Sequence, residues 1–554
     1  MITQKSFIEQ YLSAVEKNLT LEQFAKSLPM TPKSVIRKRK QINIENNQIL
    51  SKELSRSKNI NCINTINQKQ MNEIIKRDIQ TISSKKIDHS DKGPRVVVIT
   101  SAQNATRVFT PFLESLKMYC LDKQAELMII PYRYRNPTSM WTENNEDEEW
   151  WDADVVPYLV TDYIQLNKNL RLFGPIKTQP TAKNPLSGYD SISGCDSAIF
   201  GHPKIQLKTI ATPGQLLPKI LSTTGAVTLR NYTDSKAGFQ GDFHHSFAAI
   251  VVEICEDGLF HQRHIHADQH GRFYDLTSFY TPTRIIRDNP IAGLVTGDTH
   301  AQFIDPLVFK ATYSDPDSIV NVLKPPKIVV HDIEDFYPRN HHHKNNPFLA
   351  YGKQKYGRNN VEEGLQITAD FLDSIPKGIQ RIIVKSNHDE AFDRWLKETD
   401  IRNDPENARF YHYMMYNIMK SVYYTNTGFS HADPFEFWCY NPDQYTGLSN
   451  KEDTVFLKRD QSYTIVDIEV GFHGDKGPNG ARGNALAFAK IGPKTIIGHS
   501  HSPCINEGAY QVGLSARMNL EYVSGPSSWL QTHCIIYANG SRTLINIING
   551  KWKK

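Results

Sequence analysis

An α/β fold is predicted for this chain of 554 residues, and three observations predict it. Short apolar runs of strand length alternate with segments of helical spacing. Five of those runs, all in the C-terminal half, end in clusters of Asp, Asn and His. Hydrophobic residues make up 39% of the chain and aromatics 10%, enough to fill sizeable cores, and a chain of this length is expected to hold several domains. No run approaches the roughly 18 apolar residues that a membrane span needs.

The five clusters organise the rest. The run 291–295 opens onto Asp298 and His300, and 326–330 onto His331, Asp332, Glu334 and Asp335. The run 381–385 opens onto Ser386, Asn387, His388 and Asp389. The run 463–470, expected as one strand, opens onto His473 and Asp475, and 494–497 opens onto Gly498, His499, Ser500 and His501. A single Asp-x-His triplet is a weak signal. Five such clusters at the carboxyl ends of strands are a strong one, because ligands gather there in open α/β sheets. They predict one convergent metal centre. Carboxylate, amide and imidazole ligands suit Mn, Fe or Zn, and the lack of thiolates argues against a structural zinc site. A phosphodiester is an anion and a poor electrophile, which paired cations about 3.5–4 Å apart can clamp.

In order, these motifs read Asp-x-His, Asp-x-x-Asp, Asn-His-Asp, His and Gly-His-x-His, a series that resembles the calcineurin-like metallophosphoesterases over about residues 291–554. The resemblance implies a two-sheet β-sandwich flanked by helices and two divalent metal ions, Mn2+ foremost, with Mg2+, Fe2+ or Zn2+ as alternatives. It implies that Asp298, His300 and His501 hold the first ion, that Asn387, His473 and His499 hold the second, and that Asp332 bridges them. It gives His388 the role of protonating the leaving oxygen, oriented by Asp335. Two positions depart from the family pattern without removing a ligand: His331 stands where the second motif begins with Gly, and Asp475 where the fourth often ends in His. The family's protein phosphatases carry Arg where this chain has Phe336 and Lys385. The site motifs resemble the Mre- and SbcD-type nuclease branch. The wider layout, with its N-terminal arm and tail motif 523–529, is similar to the early host-DNA-degrading proteins of some long-tailed bacteriophages. The implied activity is metal-dependent hydrolysis of DNA. A phosphatase or small-molecule phosphodiesterase, and a non-catalytic DNA-binding regulator, are the competing readings.

The remainder is read from the start of the chain. Net charge is +5, unevenly placed: residues 1–94 hold 17 Lys and Arg against 9 Asp and Glu. A basic arm suggests a polyanionic partner. Residues 1–42 read as a helix-turn-helix-like module, whose third helix carries Lys33, Arg37, Lys38, Arg39 and Lys40 for DNA contact; oligomer contacts by a helical module are the alternative. The expected partners are DNA and further copies of the chain, in a dimer or higher oligomer, with no membrane. Residues 43–94 read as a linker, 95–290 as an α/β then β-rich region, and 291–554 as the catalytic domain. A strand at 96–99, a helix at 106–123 and a strand at 127–130 make a βαβ unit, whose loop 100–105 lacks a phosphate-cradling glycine pattern. The acidic stretch 143–154 reads as a solvated loop. Residues 200–285 read as β-rich, with 248–254 the clearest strand and His261, His264, His266 and His270 as polar loop residues. The three histidines 341–343 follow the second motif, either over the active site or on plain surface. Segment 519–549 reads as antiparallel strands with turns at Asn539-Gly540 and Asn549-Gly550, and 551–554 as a frayed tail. Seven dispersed Cys suggest reduced thiols, and the first residues lack an apolar signal core, so a cytoplasmic chain is expected.

Overall fold

A computed structural model describes residues 86–134, 150–176, 178–213, 218–343, 345–440, 447–520 and 525–553. The arm with Lys33, Arg37, Lys38, Arg39 and Lys40 lies outside the described residues, as does acidic stretch 143–149. The chain is α/β, with several sheets and helices, as expected. No helix among the described residues is long and apolar enough to cross a membrane.

Three sheets matter to the site. The first has six strands, in the order Thr454–Leu457, Gln380–Val384, Lys327–His331, Gly293–Val295, Thr532–Ile536 and Arg542–Asn546. Its first four strands run parallel and its last two antiparallel. The second sheet has eleven strands and draws on both halves of the chain: Gln206–Ile210 pairs with Cys504–Asn506. The third has four strands, and its core is the expected βαβ unit: Arg95–Gln103 and Glu126–Tyr132 are parallel neighbours joined by helix Thr110–Lys123.

Alternation along the central strands explains the layering, since successive side chains point to opposite faces. Val295, Val329, Ile382 and Val384 meet Ile468, Ile496, Ile505 and Tyr510 of the eleven-stranded sheet. Leu294, Ile328, Val330 and Ile383 point the other way, into helices Val361–Ser374, Glu390–Glu398 and Ala408–Lys420. Burial on both faces is what lets these strands read as continuous apolar runs. At its other end the eleven-stranded sheet packs Ile164, Leu166, Leu172 and Ile199 on Val97, Ile99, Ile130 and Ile250 of the four-stranded sheet.

Several expectations are corrected. The run 463–470 is not one strand. Thr464–Ile465 and Ile468–Glu469 form a tight antiparallel hairpin, because Val466 and Asp467 both have positive φ, the geometry of a two-residue primed turn. His261, His264 and His266 are not loop residues; they lie on strand Phe260–His266, with His261 and His264 buried. Residues 100–103 continue the first βαβ strand and are buried. The end of the acidic stretch is solvated only in part: Ala153 and Asp154 are exposed as expected, but Trp151 is buried, and its Nε1 donates to the Ala102 carbonyl. Lys86–Asp88, inside the expected linker, is an edge strand paired with Tyr163–Asn167. The tail is not frayed at Trp552, which packs on the core and donates from Nε1 to the Asp317 carbonyl. Of segment 519–549, Thr532–Ile536 and Arg542–Asn546 form the expected antiparallel hairpin with its turn at Asn539-Gly540, Asn549-Gly550 turns between the bridged Ile548 and Lys551, and residues 525–531 form no strand.

Candidate metal centre

Four of the five clusters follow directly on strand ends. Asp298 and His300 follow Gly293–Val295, Asp332 follows Lys327–His331, Asn387 and His388 follow Gln380–Val384, and His499 and His501 follow Lys494–Ile497. The fifth, with His473, follows the second half of the hairpin. Backbone bonds between the loops hold them together: Thr299 and His300 donate from N to the carbonyls of His331 and Asp332, and Gly498 N donates to the His473 carbonyl.

The side chains converge. His300, Asp332 and His501 form one group whose ligand atoms lie within 4.8 Å of one another; Asp298, Asp332 and His473 form a second, and His300, Asp335 and His388 a third. His300 Nε2 is 3.1 Å from His501 Nε2 and 3.4 Å from Asp332 Oδ2. Asp298 Oδ2 is 3.2 Å from His501 Nε2 and accepts from His499 N at 2.7 Å. The His499 ring stands 5.3 Å from that of His473. Asp298, His300, Asp332, His473 and His501 are all buried. Asn387 lies between Ser386 and His388 in the third loop.

These residues fit divalent cations. Asp298 Oδ1, Asp332 Oδ2, Asn387 Oδ1, both ring nitrogens of His473 and Nδ1 of His501 are buried without a hydrogen-bond partner in the protein. Unpaired buried polar atoms cost free energy, and cations among these oxygens and nitrogens would offset that cost. The electrostatics agree. Burial and the charge of Asp332 push the Asp298 carboxyl up to about 7. Burial also opposes ionisation of Asp332, but His388, His300 and His473 outweigh it and hold its carboxyl below the usual range. For His388, burial is outweighed by Asp332 and Asp335, which raise it to about 10, with Nδ1 3.1 Å from Asp335 Oδ1.

Of the two departures from the family pattern, Asp475 is paired, whereas both ring nitrogens of the buried His331 lack a hydrogen-bond partner. Asp475 accepts from Arg459 Nη2, and Arg459 Nη1 donates to the Lys385 carbonyl at 2.9 Å, so this pair ties the fourth loop to the third. His331 is buried 5.8 Å, ring to ring, from His473. Sequence reasoning assigned no role to three supporting residues. Ser386 donates from Oγ to Asp332 Oδ1, while Asp389 Oδ2 accepts from Ser386 N at 2.7 Å and Oδ1 from Glu334 N at 2.9 Å. His533 Nδ1 accepts from Gly297 N at 2.9 Å. Ser386 and Asp389 were visible as members of the third cluster. Nothing in the sequence points to His533, 236 residues from Gly297 along the chain.

Over 467 residues the chain is 35% identical to protein A1 of Escherichia phage T5, the match covering 82% of this chain and 82% of that one. The chain belongs to the phage T5 A1 protein family. No protein-family model matches it. No solved structure matches it either. The A1 match places the chain among phage proteins.

Proposed function

We propose that this A1-family protein is a metal-dependent deoxyribonuclease on a metallophosphoesterase scaffold, hydrolysing DNA phosphodiester bonds at a two-ion centre and degrading host DNA during infection. One observation carries the reading: Asp298, Asp332, His473 and His501, from four separate loops and each with a buried, unpaired oxygen or nitrogen, converge beside a His388–Asp335 pair. Asp298, His300 and His501 would hold one ion, Asn387, His473 and His499 the other, with Asp332 shared; Mn2+ is the foremost candidate. Cations bound there supply Lewis acidity toward a phosphodiester oxygen. With Nδ1 turned to Asp335, His388 holds its other proton at Nε2, where a leaving oxygen can accept it. Ser386 fixes Asp332, and Asp389 fixes the backbone of the third loop, so the acid and the shared carboxylate keep one geometry.

A phosphatase reading is less well supported. Phe336 is buried and stacks on Phe392, and Lys385 is held by Asp393 and Asp433, so neither position offers the phosphate-binding cation that the family's phosphatases place there. The basic arm with Lys33, Arg37, Lys38, Arg39 and Lys40 favours DNA, since phosphate neutralisation dominates such affinity. The test compares supercoiled plasmid with nitrophenyl phosphomonoesters and diesters, with Mn2+ or with chelator. Metal-dependent loss of plasmid is expected. Turnover of the monoester with intact plasmid would replace the nuclease reading with a phosphatase, and metal binding without turnover of any substrate would favour the regulatory one.

A further inference from the structure

The segment that follows the second motif combines features the metal centre does not use. From Phe336 to Val361 the sequence holds no Asp or Glu. Within it, helix Pro347–Lys355 places Phe348, Tyr351 and Lys355 at i, i+3 and i+7, one face of a helix. That face is bare: Phe348 is 87% exposed and Tyr351 68%, and Tyr356 just beyond is 73% exposed. The helix is nonetheless tied to the site. Lys353 is buried on its other side and donates from Nζ to the Tyr337 carbonyl, two residues past Asp335. The Arg358 guanidinium lies over the Tyr337 ring at 4.5 Å.

We propose that this helix, with Tyr356 and Arg358, is a binding surface for a single-stranded nucleic-acid segment beside the metal centre, the exposed rings stacking on bases and Lys355 and Arg358 facing phosphates. Three exposed rings flanked by the exposed Lys355 and Arg358, in a stretch of sequence that itself holds no Asp or Glu, match single-strand recognition, in which stacking platforms alternate with a positive track. A second copy of the chain would set this face against its own like charges. The inference rests on the proposed nuclease reading for its biological sense, though not for its test. In the full-length protein with chelator present, anisotropy of a labelled oligothymidine compares wild type with the Phe348→Ala, Tyr351→Ala, Tyr356→Ala triple variant. Affinity is expected to fall about tenfold or more, with blunt-duplex affinity retained. The ring-preserving variant Phe348→Tyr, Tyr351→Phe, Tyr356→Phe should bind as wild type does. Unchanged oligothymidine affinity, an equal loss on duplex, or a changed oligomer mass in light scattering would each overturn the proposal. Failure of the nuclease reading would look different: wild-type protein that binds the oligonucleotide but never cuts DNA with Mn2+.

Discussion

Four of the candidate ligands have backbones that L-residues adopt reluctantly: φ is +44° at His300, +50° at Asp332, +76° at His499 and +58° at His501. Each costs on the order of 1–3 kcal/mol, and that cost recurs at one place in the fold, where side chains must turn back from strand ends toward a common point. His499 is the cleanest test, because it is only half-buried. His499→Gly is expected to raise the stability of the metal-free protein by about 1 kcal/mol in urea while lowering the number of Mn2+ ions bound. Lower stability together with full metal content would contradict both roles. His388 makes the complementary case. Its ring contacts Asp335 rather than the Asp298 and His473 groups, so His388→Ala should keep metal content and slow plasmid cleavage by roughly 10²–10⁴-fold, the usual weight of a general acid. The loss should shrink for a nitrophenyl diester, whose leaving group needs no proton. Metal occupancy that falls as far as activity would make His388 a ligand instead.

At the scale of elements, strands set the site and small residues let their loops meet. A Cβ on Gly498 would stand 2.1 Å from Asp298 Oδ1, far inside contact distance. Gly498→Ala is therefore expected to displace the Asp298 carboxylate and cost Mn2+ affinity at least tenfold by calorimetry, with far-UV dichroism unchanged; wild-type affinity would refute the packing argument. Much of this was legible beforehand. The strands at 327–331, 380–384 and 494–497 end in polar clusters, and apolar runs buried on both faces announce themselves by composition alone. What escaped has physical reasons. The break at Val466 and Asp467 is hidden because a β-branched residue at positive φ contradicts local preference, and the turn is fixed by pairing in the eleven-stranded sheet. Strand Phe260–His266 was hidden by its polarity: buried histidines look like loop residues until their partners are known. His264 Nε2 donates to the Thr223 carbonyl and Thr543 Oγ1 to the His264 carbonyl, tying three sheets together.

Those partners link the whole molecule to pH. Burial pushes His264 down to about 4 from an ordinary 6.5, and likewise His202 to about 4 and His245 to about 3. The unfolded chain thus takes up these protons before the native one does. Stability from this source is complete above about pH 7 and is lost as pH falls through 6.5 toward 4. A His264→Gln variant, which keeps an amide donor for Thr223, is expected to lose ~2 kcal/mol less than wild type between pH 7 and pH 5 in urea titrations; equal losses would mean that His264 is not neutral in the native state. The arm acts on the same scale by another route. Lys33, Arg37, Lys38, Arg39 and Lys40 crowd into eight residues of an expected helix, leaving Val35 and Ile36 to pack inward. Each cation that meets a duplex phosphate contributes about −0.9 to the slope of log affinity against log salt. Deleting residues 1–42 should weaken duplex binding and flatten that slope, while hydrolysis of a nitrophenyl diester and Mn2+ content stay unchanged, because the first candidate ligand, Asp298, lies more than 250 residues further on. If residues 1–42 instead join copies of the chain, light scattering will show a smaller particle, and any loss of DNA binding will come with an unchanged salt slope per protomer. Measuring mass and slope on one truncated preparation separates the two, and an altered mass with an unaltered slope would remove the arm from DNA recognition.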